Sequence, residues 1–406
     1  LNNVRPQPLL YLDHNATTRL DPEVKAAMDA ALALPLGNPS SLHGAGQAAR
    51  RLIDKARKQV ATLIGARVDE IVFCGSGTDA ANISIFGAIS ESRGIAPERP
   101  VFCSAIEHQA VLEPCRRLES VGHALTVLDV DSQGRLDLEA AKAALAAAGP
   151  PALVSVMLAN NEVGTLQPVA ELAQAAHQRD GSTLVHTDAV QAVGKLPVDV
   201  AELGVDLLSL SGHKLHGPQG IGALYVRSGV RLAPQRFGGK QERGLTPGTE
   251  NVAAIVGLGK ACELAGARLD ESQRALRELR DSFETALRER VAGTRINACG
   301  AERISNTSNV SFSVSGEPLS GEMPTLDGEM LAINLDLLEV AVSTGSACST
   351  ADREPSHVLL AMGRSESEAR GVLRFSFGKD NTVADVEQAV AHLEHAVGAM
   401  RSRRSR

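Results

Sequence analysis

The sequence predicts an α/β protein built on a large, mostly parallel sheet, with a smaller α+β domain beside it. Three observations carry this. Apolar runs alternate with helical patterns of roughly 10–15 residues, which is how strands joined by covering helices read. The chain has 406 residues, more than one hydrophobic core usually holds. Hydrophobic residues are 43% and charged residues 22%, the balance of an ordinary globular enzyme.

The segment Tyr11–Thr18 is short, extended and closed by polar turn formers. Asp21-Pro22-Glu23 opens a helix, with Asp as cap and Pro in its first position. Gly37-Asn38-Pro39-Ser40-Ser41 breaks the chain, and a long helix is expected from about Gly46 to Ile64. Glu70–Cys74 reads as a strand running into Gly75-Ser76-Gly77-Thr78-Asp79 and then an apolar helix through Ile89. Strand, glycine turn and helix mouth is an anion-binding arrangement, because unpaired N–H groups and the helix dipole face outward. Further strands are predicted near Val101–Ser104, Ala124–Leu128, Leu153–Leu158, Thr183–His186, Asp206–Leu210 and Gly222–Tyr225. Helices fill the gaps near Gln109–Val121, Asp137–Ala148 and Val169–Gln178. Asn251 to about Val291 reads as one long helix bridging to the smaller domain. That domain has strands at Asn309–Val314, Val340–Val342 and Leu373–Phe377, and helices at Gly328–Leu335 and Val383–Met400. The expected division is 21–264 for the large domain and 1–20 with 265–406 for the small one.

Aromatic residues are 2% with no Trp, so Ala, Leu, Val and Ile must fill the core. A net charge of −7 argues against a nucleic-acid surface, and Arg401–Arg406 reads as a short solvated tail. No apolar run reaches membrane-spanning length, and Leu1–Pro8 lacks the apolar stretch of a signal peptide. The six cysteines show no metal-ligand spacing, and their scatter suits a reducing cytoplasm. No metal site is expected.

In parallel sheets ligands sit outside the carboxyl ends of the strands. Thr78, His108, Asn160, Asp188 and Lys214 each follow a predicted strand, so they are placed to converge. Taken singly, each has an ordinary use as a surface, turn or capping residue. The pair Lys214 and Asp188 is different. A lysine able to form a Schiff base and an aspartate able to hold a pyridinium nitrogen are what pyridoxal phosphate asks of a protein. Ser343-Thr344-Gly345-Ser346-Ala347-Cys348-Ser349-Thr350 surrounds a cysteine with small residues and no apolar period to bury it, which makes Cys348 a candidate nucleophile.

These motifs resemble the cysteine desulfurases of the NifS/IscS type, class V aminotransferase relatives with the fold-type-I architecture of pyridoxal-phosphate enzymes. The likeness spans nearly the whole chain. It rests on Tyr11–Thr18, Gly37-Asn38-Pro39-Ser40, Glu107-His108, Asn160-Asn161-Glu162, His186-Thr187-Asp188-Ala189-Val190-Gln191, Ser211-Gly212-His213-Lys214 and Ser343–Cys348. The resemblance implies that Lys214 holds pyridoxal 5'-phosphate, Asp188 its ring nitrogen, Gln191 its phenolate oxygen and His108 its ring face. Gly77, Thr78, Ser211 and His213 would bind the phosphate, with Thr249 reaching it from a second subunit of a homodimer. Asn160 and Arg374 would hold the substrate carboxylate. Lys214, His108 and Cys348 would be catalytic, Cys348 carrying sulfur from L-cysteine as a persulfide to an acceptor protein, such as an iron-sulfur scaffold, and touching a cluster in transit. Two departures stand out: Gly75-Ser76-Gly77-Thr78-Asp79 for the usual Ser-Gly-(Ala/Gly)-Thr-Glu, and Thr246-Pro247 for Arg-Ser. The segment 315–325 also looks longer than its counterpart. A selenocysteine lyase, another aminotransferase-like enzyme and a silent sulfur-trafficking scaffold are the rival readings.

Overall fold

The structure, a computed structural model, describes residues 9–91, 99–319, 324–345 and 354–404. Its larger sheet has seven strands: β1 (Ile71–Cys74), β2 (Val101–Ser104), β3 (Leu125–Leu128), β4 (Leu153–Ser155), β5 (Leu184–Asp188), β6 (Leu207–Ser211) and β7 (Gly222–Val226). Across the sheet they run β1-β7-β6-β5-β4-β2-β3. Only β7 opposes its neighbours, so β1, β2, β4, β5 and β6 all deliver their carboxyl ends to one edge. The α/β expectation for a mostly parallel sheet therefore holds.

Both faces are covered, and strand alternation explains why. Leu208 and Val185 belong to one buried cluster, Leu207 and Val101 to another on the opposite face. The core of a second sheet lies apart. That sheet comprises β8 (Thr294–Asn297), β9 (Thr307–Phe312), β10 (Ser343–Thr344) and β11 (Val372–Ser376), antiparallel in the order β10-β11-β9-β8. The scarce aromatics concentrate here: Phe283 packs 4.7 Å from Phe375 and 5.5 Å from Phe377, ring centre to ring centre. Leu10 and Leu12 join this second core, because Leu10–Tyr11 pairs in parallel with Val340–Ala341.

Two expectations change. The single helix expected over Asn251–Val291 is two helices, Val252–Ala267 and Leu269–Arg290, broken at Arg268 where ψ rises to 7°. The first half packs on the large core and the second on the small one, and the Arg268 guanidinium at the break binds Glu23 at 2.6 Å. The C-terminal helix runs from Val383 to Arg404 rather than ending at Met400. Arg401 is no solvated tail, because its guanidinium donates to the carbonyls of Ser313 and Ala292 at 2.8 Å each.

Candidate active site

At the carboxyl edge of the large sheet lies a cavity of about 610 Å³, reached by residues from both cores. Asp188 ends β5 and Ser211 ends β6, and the chain then tightens into a 3₁₀ turn, Gly212–Lys214, that brings Lys214 to the same space. Lys214 Nζ donates to the backbone carbonyls of Asn15 (2.5 Å) and Ala16 (2.8 Å). Asp188 is buried and accepts one N–H, from Val190 at 2.9 Å. Burial lifts its carboxyl to about 6, against the pull of that N–H and of Lys214. Such a group gains from a cationic partner in the cavity.

The helix Gly77–Glu91 points its N-terminus at this space. Its first-turn N–H groups have no intrahelical acceptor, and Gly77 must remain glycine. A Cβ there would lie 2.7 Å from Val190 Cγ2 and 3.3 Å from Ser211 Cβ. The altered neighbours of Thr78 form a reciprocal cap. Ser76 Oγ accepts from the Asp79 N–H at 3.0 Å, and Asp79 Oδ2 accepts from the Gly75 N–H at 2.9 Å. Thr78 and His213 line the cavity. His213 Nδ1 meets Thr17 Oγ1 at 3.1 Å, and burial with Lys214 nearby pushes the imidazole down to about 4.

His108 caps the helix Gln109–Ser120, its Nδ1 accepting from the Ala110 N–H at 3.1 Å. Nδ1 is therefore the unprotonated nitrogen and Nε2 carries the hydrogen. Burial, then Lys214 and Arg374, hold the ring near 4, so it is neutral at working pH.

Arg374, on β11, is 2% exposed. It donates to Asp13 Oδ1 at 2.8 Å and to the Asn161 carbonyl at 3.1 Å, and its buried Nε has no hydrogen-bond partner among the described residues. Asn160 is not brought into the cavity. Its Oδ1 accepts from the Glu162 and Val163 N–H groups (2.8 and 2.9 Å), and its Nδ2 donates to the Ile106 carbonyl at 3.0 Å. It is an internal brace, and the neighbouring Asn161 lines the cavity instead. Sequence reasoning has no means to choose between adjacent asparagines in an irregular turn.

Three further residues escape a reading of the sequence. Asn15 lies between the two cores: its Nδ2 donates to Thr307 Oγ1 (2.8 Å), its N–H to Ser376 Oγ (2.9 Å), and its carbonyl accepts from Gln191 Nε2 (3.0 Å). Lys195 bonds Asn15 and Gln191 behind the cavity. Glu162, buried and lifted by burial to about 7, accepts from Ser356 Oγ at 2.6 Å. Its carboxylate also lies 2.8 Å from where a Cβ on Gly345 would stand. Gly345, Glu354 and His357 line the cavity, whereas Cys348 lies outside the described residues.

Thr249 is exposed and does not line this cavity. It belongs to the loop 238–249, whose anchor is Glu242. Buried, with φ 46° and ψ 47°, Glu242 takes a two-pronged hydrogen bond from Arg57 (2.7 and 2.5 Å) and one from the Phe73 N–H (2.8 Å). Thr246, one of the departures, donates its hydroxyl to the Phe73 carbonyl at 2.8 Å. The loop is thus bound to β1 just ahead of the Gly75–Thr78 turn.

Among the described residues no cluster of His, Cys, Asp and Glu could hold a metal, and no helix is long and apolar enough to cross a membrane. Among the same residues five cysteines are free thiols, all buried except Cys299.

The family described as Aminotransferase class-V matches residues 10–389. The protein called cysteine desulfurase IscS of Dictyoglomus turgidum is 43% identical over 396 residues, covering 97% of this chain and 95% of its own. A solved NifS-like protein superposes with a TM-score of 0.86 at 35% identity, over 97% of this chain and all of that one. A structure titled "SspA in complex with cysteine" matches at 33% identity and a TM-score of 0.76, over 90% of this chain and 98% of that one.

Proposed function

The chain belongs to the class-V aminotransferases and, within them, to the NifS/IscS-like cysteine desulfurases; from that premise we propose that it converts L-cysteine to L-alanine and passes the sulfur, as a persulfide on Cys348, to an acceptor protein. The observation that carries this is the convergence of Lys214 and Asp188, from the ends of adjacent strands, on one cavity with a helix N-terminus.

The donor set fits pyridoxal phosphate. Lys214 offers the amine, and Asp188 is a buried carboxylate suited to a pyridinium nitrogen. Gly77, Thr78, Ser211 and His213 surround the helix mouth suited to a phosphate, and Gln191 and His108 flank the ring. When bound, the cofactor supplies the electron sink that lets the substrate's Cα–H and Cβ–S bonds weaken. Lys214, once its amine is free, would take the proton from the substrate Cα and later return one. His108, neutral with its hydrogen on Nε2, donates from the ring face. Arg374 with Asn161 orients the substrate carboxylate, the guanidinium exchanging its hold on Asp13 for a two-pronged one. The Cys348 thiolate attacks the substrate sulfur: an S–S bond forms, the Cβ–S bond breaks with its electron pair left on carbon, and a proton there completes alanine.

Thr249 extends to the site of a second copy in a homodimer. The acceptor serves iron-sulfur or other thio-cofactor assembly, in the cytoplasm. The test is to incubate purified protein with L-cysteine and an excess of a reducing thiol, which frees the persulfide sulfur as sulfide, and to measure alanine and sulfide together. Borohydride reduction followed by peptide mass spectrometry should place the cofactor on Lys214, and an adduct on Lys195 or Lys240 would overturn the assignment. Cys348→Ser should still bind L-cysteine, seen as a change in visible absorption, yet release no sulfide. Near-normal sulfide from that variant would move the persulfide elsewhere.

A further inference from the structure

Lys195 is a buried lysine without an acidic partner. Among the described residues no carboxylate lies within ion-pair distance of its amine, and the side chain is buried outside the large cavity. Nζ donates to Gln191 Oε1 at 2.6 Å and to Asn15 Oδ1 at 2.8 Å. Burial, with Lys214 and Arg374 nearby, presses its amine well below the ordinary lysine range. Both of its acceptors are side-chain amide oxygens, so Nζ meets Gln191 and Asn15 as a donor.

The consequence falls on two amides. Gln191 presents its nitrogen to the Asn15 carbonyl at 3.0 Å and its oxygen to Lys195. The same Asn15 carbonyl accepts from Lys214 Nζ. Asn15 Oδ1 takes hydrogen bonds from Lys195 and from Asn306 Nδ2 (3.1 Å), and its Nδ2 serves Thr307. An amide can rotate by half a turn at no steric cost, so something must select one orientation. Lys195 Nζ, donating to the oxygen of each amide, does so for both.

We propose that Lys195 is a positioning residue for the reacting lysine: it fixes the Gln191 amide with its N–H on the Asn15 carbonyl, and so sets how strongly that carbonyl holds the Lys214 nitrogen. This rests on the reading that Lys214 carries the cofactor. Without Lys195 the Gln191 amide is released. Its N–H then leaves Asn15, and its oxygen can turn towards Lys214. Both changes favour a protonated nitrogen on Lys214.

The experiment is a pH titration of visible absorption in the resting, cofactor-loaded enzyme, comparing wild type, Lys195→Met, Gln191→Met and the double variant, with urea midpoints measured alongside. Lys195→Met should raise the midpoint of the spectral titration by at least ~0.5 unit, since a hydrogen bond that competes with Lys214 for the Asn15 carbonyl is released. Gln191→Met should move it the same way, and the double variant no further than Gln191→Met alone. Lys195→Leu, which also removes the donor, gives the same comparison if the Met variant does not fold. An unchanged titration with only a lowered urea midpoint would overturn the proposal, as would two shifts that simply add. If wild type shows no visible cofactor band, the fault lies with the functional reading instead.

Discussion

Glu242→Met tests how far the loop 238–249 is held by one carboxylate. The side chains of Arg57 and Glu242 are only 10% and 3% exposed, so solvent screens this pair very little. Removing the carboxylate leaves the Arg57 guanidinium with the Ile71 carbonyl (2.8 Å) as its remaining hydrogen-bond acceptor among the described residues, and leaves the Phe73 N–H without its acceptor. A buried charge stripped of its counter-ion costs about 3–5 kcal/mol, and an orphaned buried N–H about 1–3 kcal/mol. The two share one network and do not simply add, so a loss of about 4–6 kcal/mol is expected, a large part of a typical domain's stability. Replacing both residues, Arg57→Met with Glu242→Met, removes the stranded charge and should cost less than Glu242→Met alone. Urea denaturation at fixed protein concentration, followed by circular dichroism, reads Glu242→Met, Arg57→Met and the double variant. A single-variant loss below about 1 kcal/mol, or a double variant at the sum of the two singles, would refute the view that a buried charge pair holds this loop.

Other expectations follow from the site. Asn161→Ala should raise KM for L-cysteine with little change in urea midpoint. Asn160→Ala should instead lower the stability by about 1–3 kcal/mol, since it strands buried N–H groups; the reverse pattern would restore Asn160 to the substrate. His186 is buried between Ser155 and Ser209, with both ring nitrogens at 2.8 Å from a hydroxyl, and burial drives it from 6.5 to about 3. A base with a depressed folded-state value stabilises the fold fully above 6.5 and loses that contribution as pH falls towards 3. The urea midpoint of the cofactor-free protein should therefore fall with acid over that window, and less steeply in His186→Gln. Gly77→Ala should weaken phosphate retention, seen as faster cofactor loss on dialysis, because its Cβ must displace Val190 or the turn.

Much of the fold is legible in the order of residues alone. Alternation of apolar runs marks the strands, and strand ends point to Lys214, Asp188 and Thr78, because in a parallel sheet position along the chain becomes position at one edge. Adjacent residues in turns are not legible in this way. Asn160 and Asn161 differ only in which way an irregular backbone aims them. Lys195 stands four residues after Gln191, but that spacing says nothing of burial or of Asn15, 180 positions earlier. The break at Arg268 is hidden because both halves are good helix formers and only tertiary packing separates them. Arg401 looks solvated because charge, read alone, does not reveal the carbonyls waiting for it.

The parallel pairing of Leu10–Tyr11 with Val340–Ala341, and of Asp13 with Ser376, has a meaning for synthesis. The segment that carries Asn15 is translated more than 300 residues ahead of these partners. At ordinary elongation speeds that interval is roughly 15–60 s. During it the large sheet can form, with Lys214 already in place, while Asn15 and Arg374 are not yet joined. A nascent chain halted anywhere between Lys214 and β11 would carry Lys214 and the Asn15 and Ala16 carbonyls that hold it, but not Arg374. The order of translation thus completes the cavity last, when β11 brings Arg374 to it.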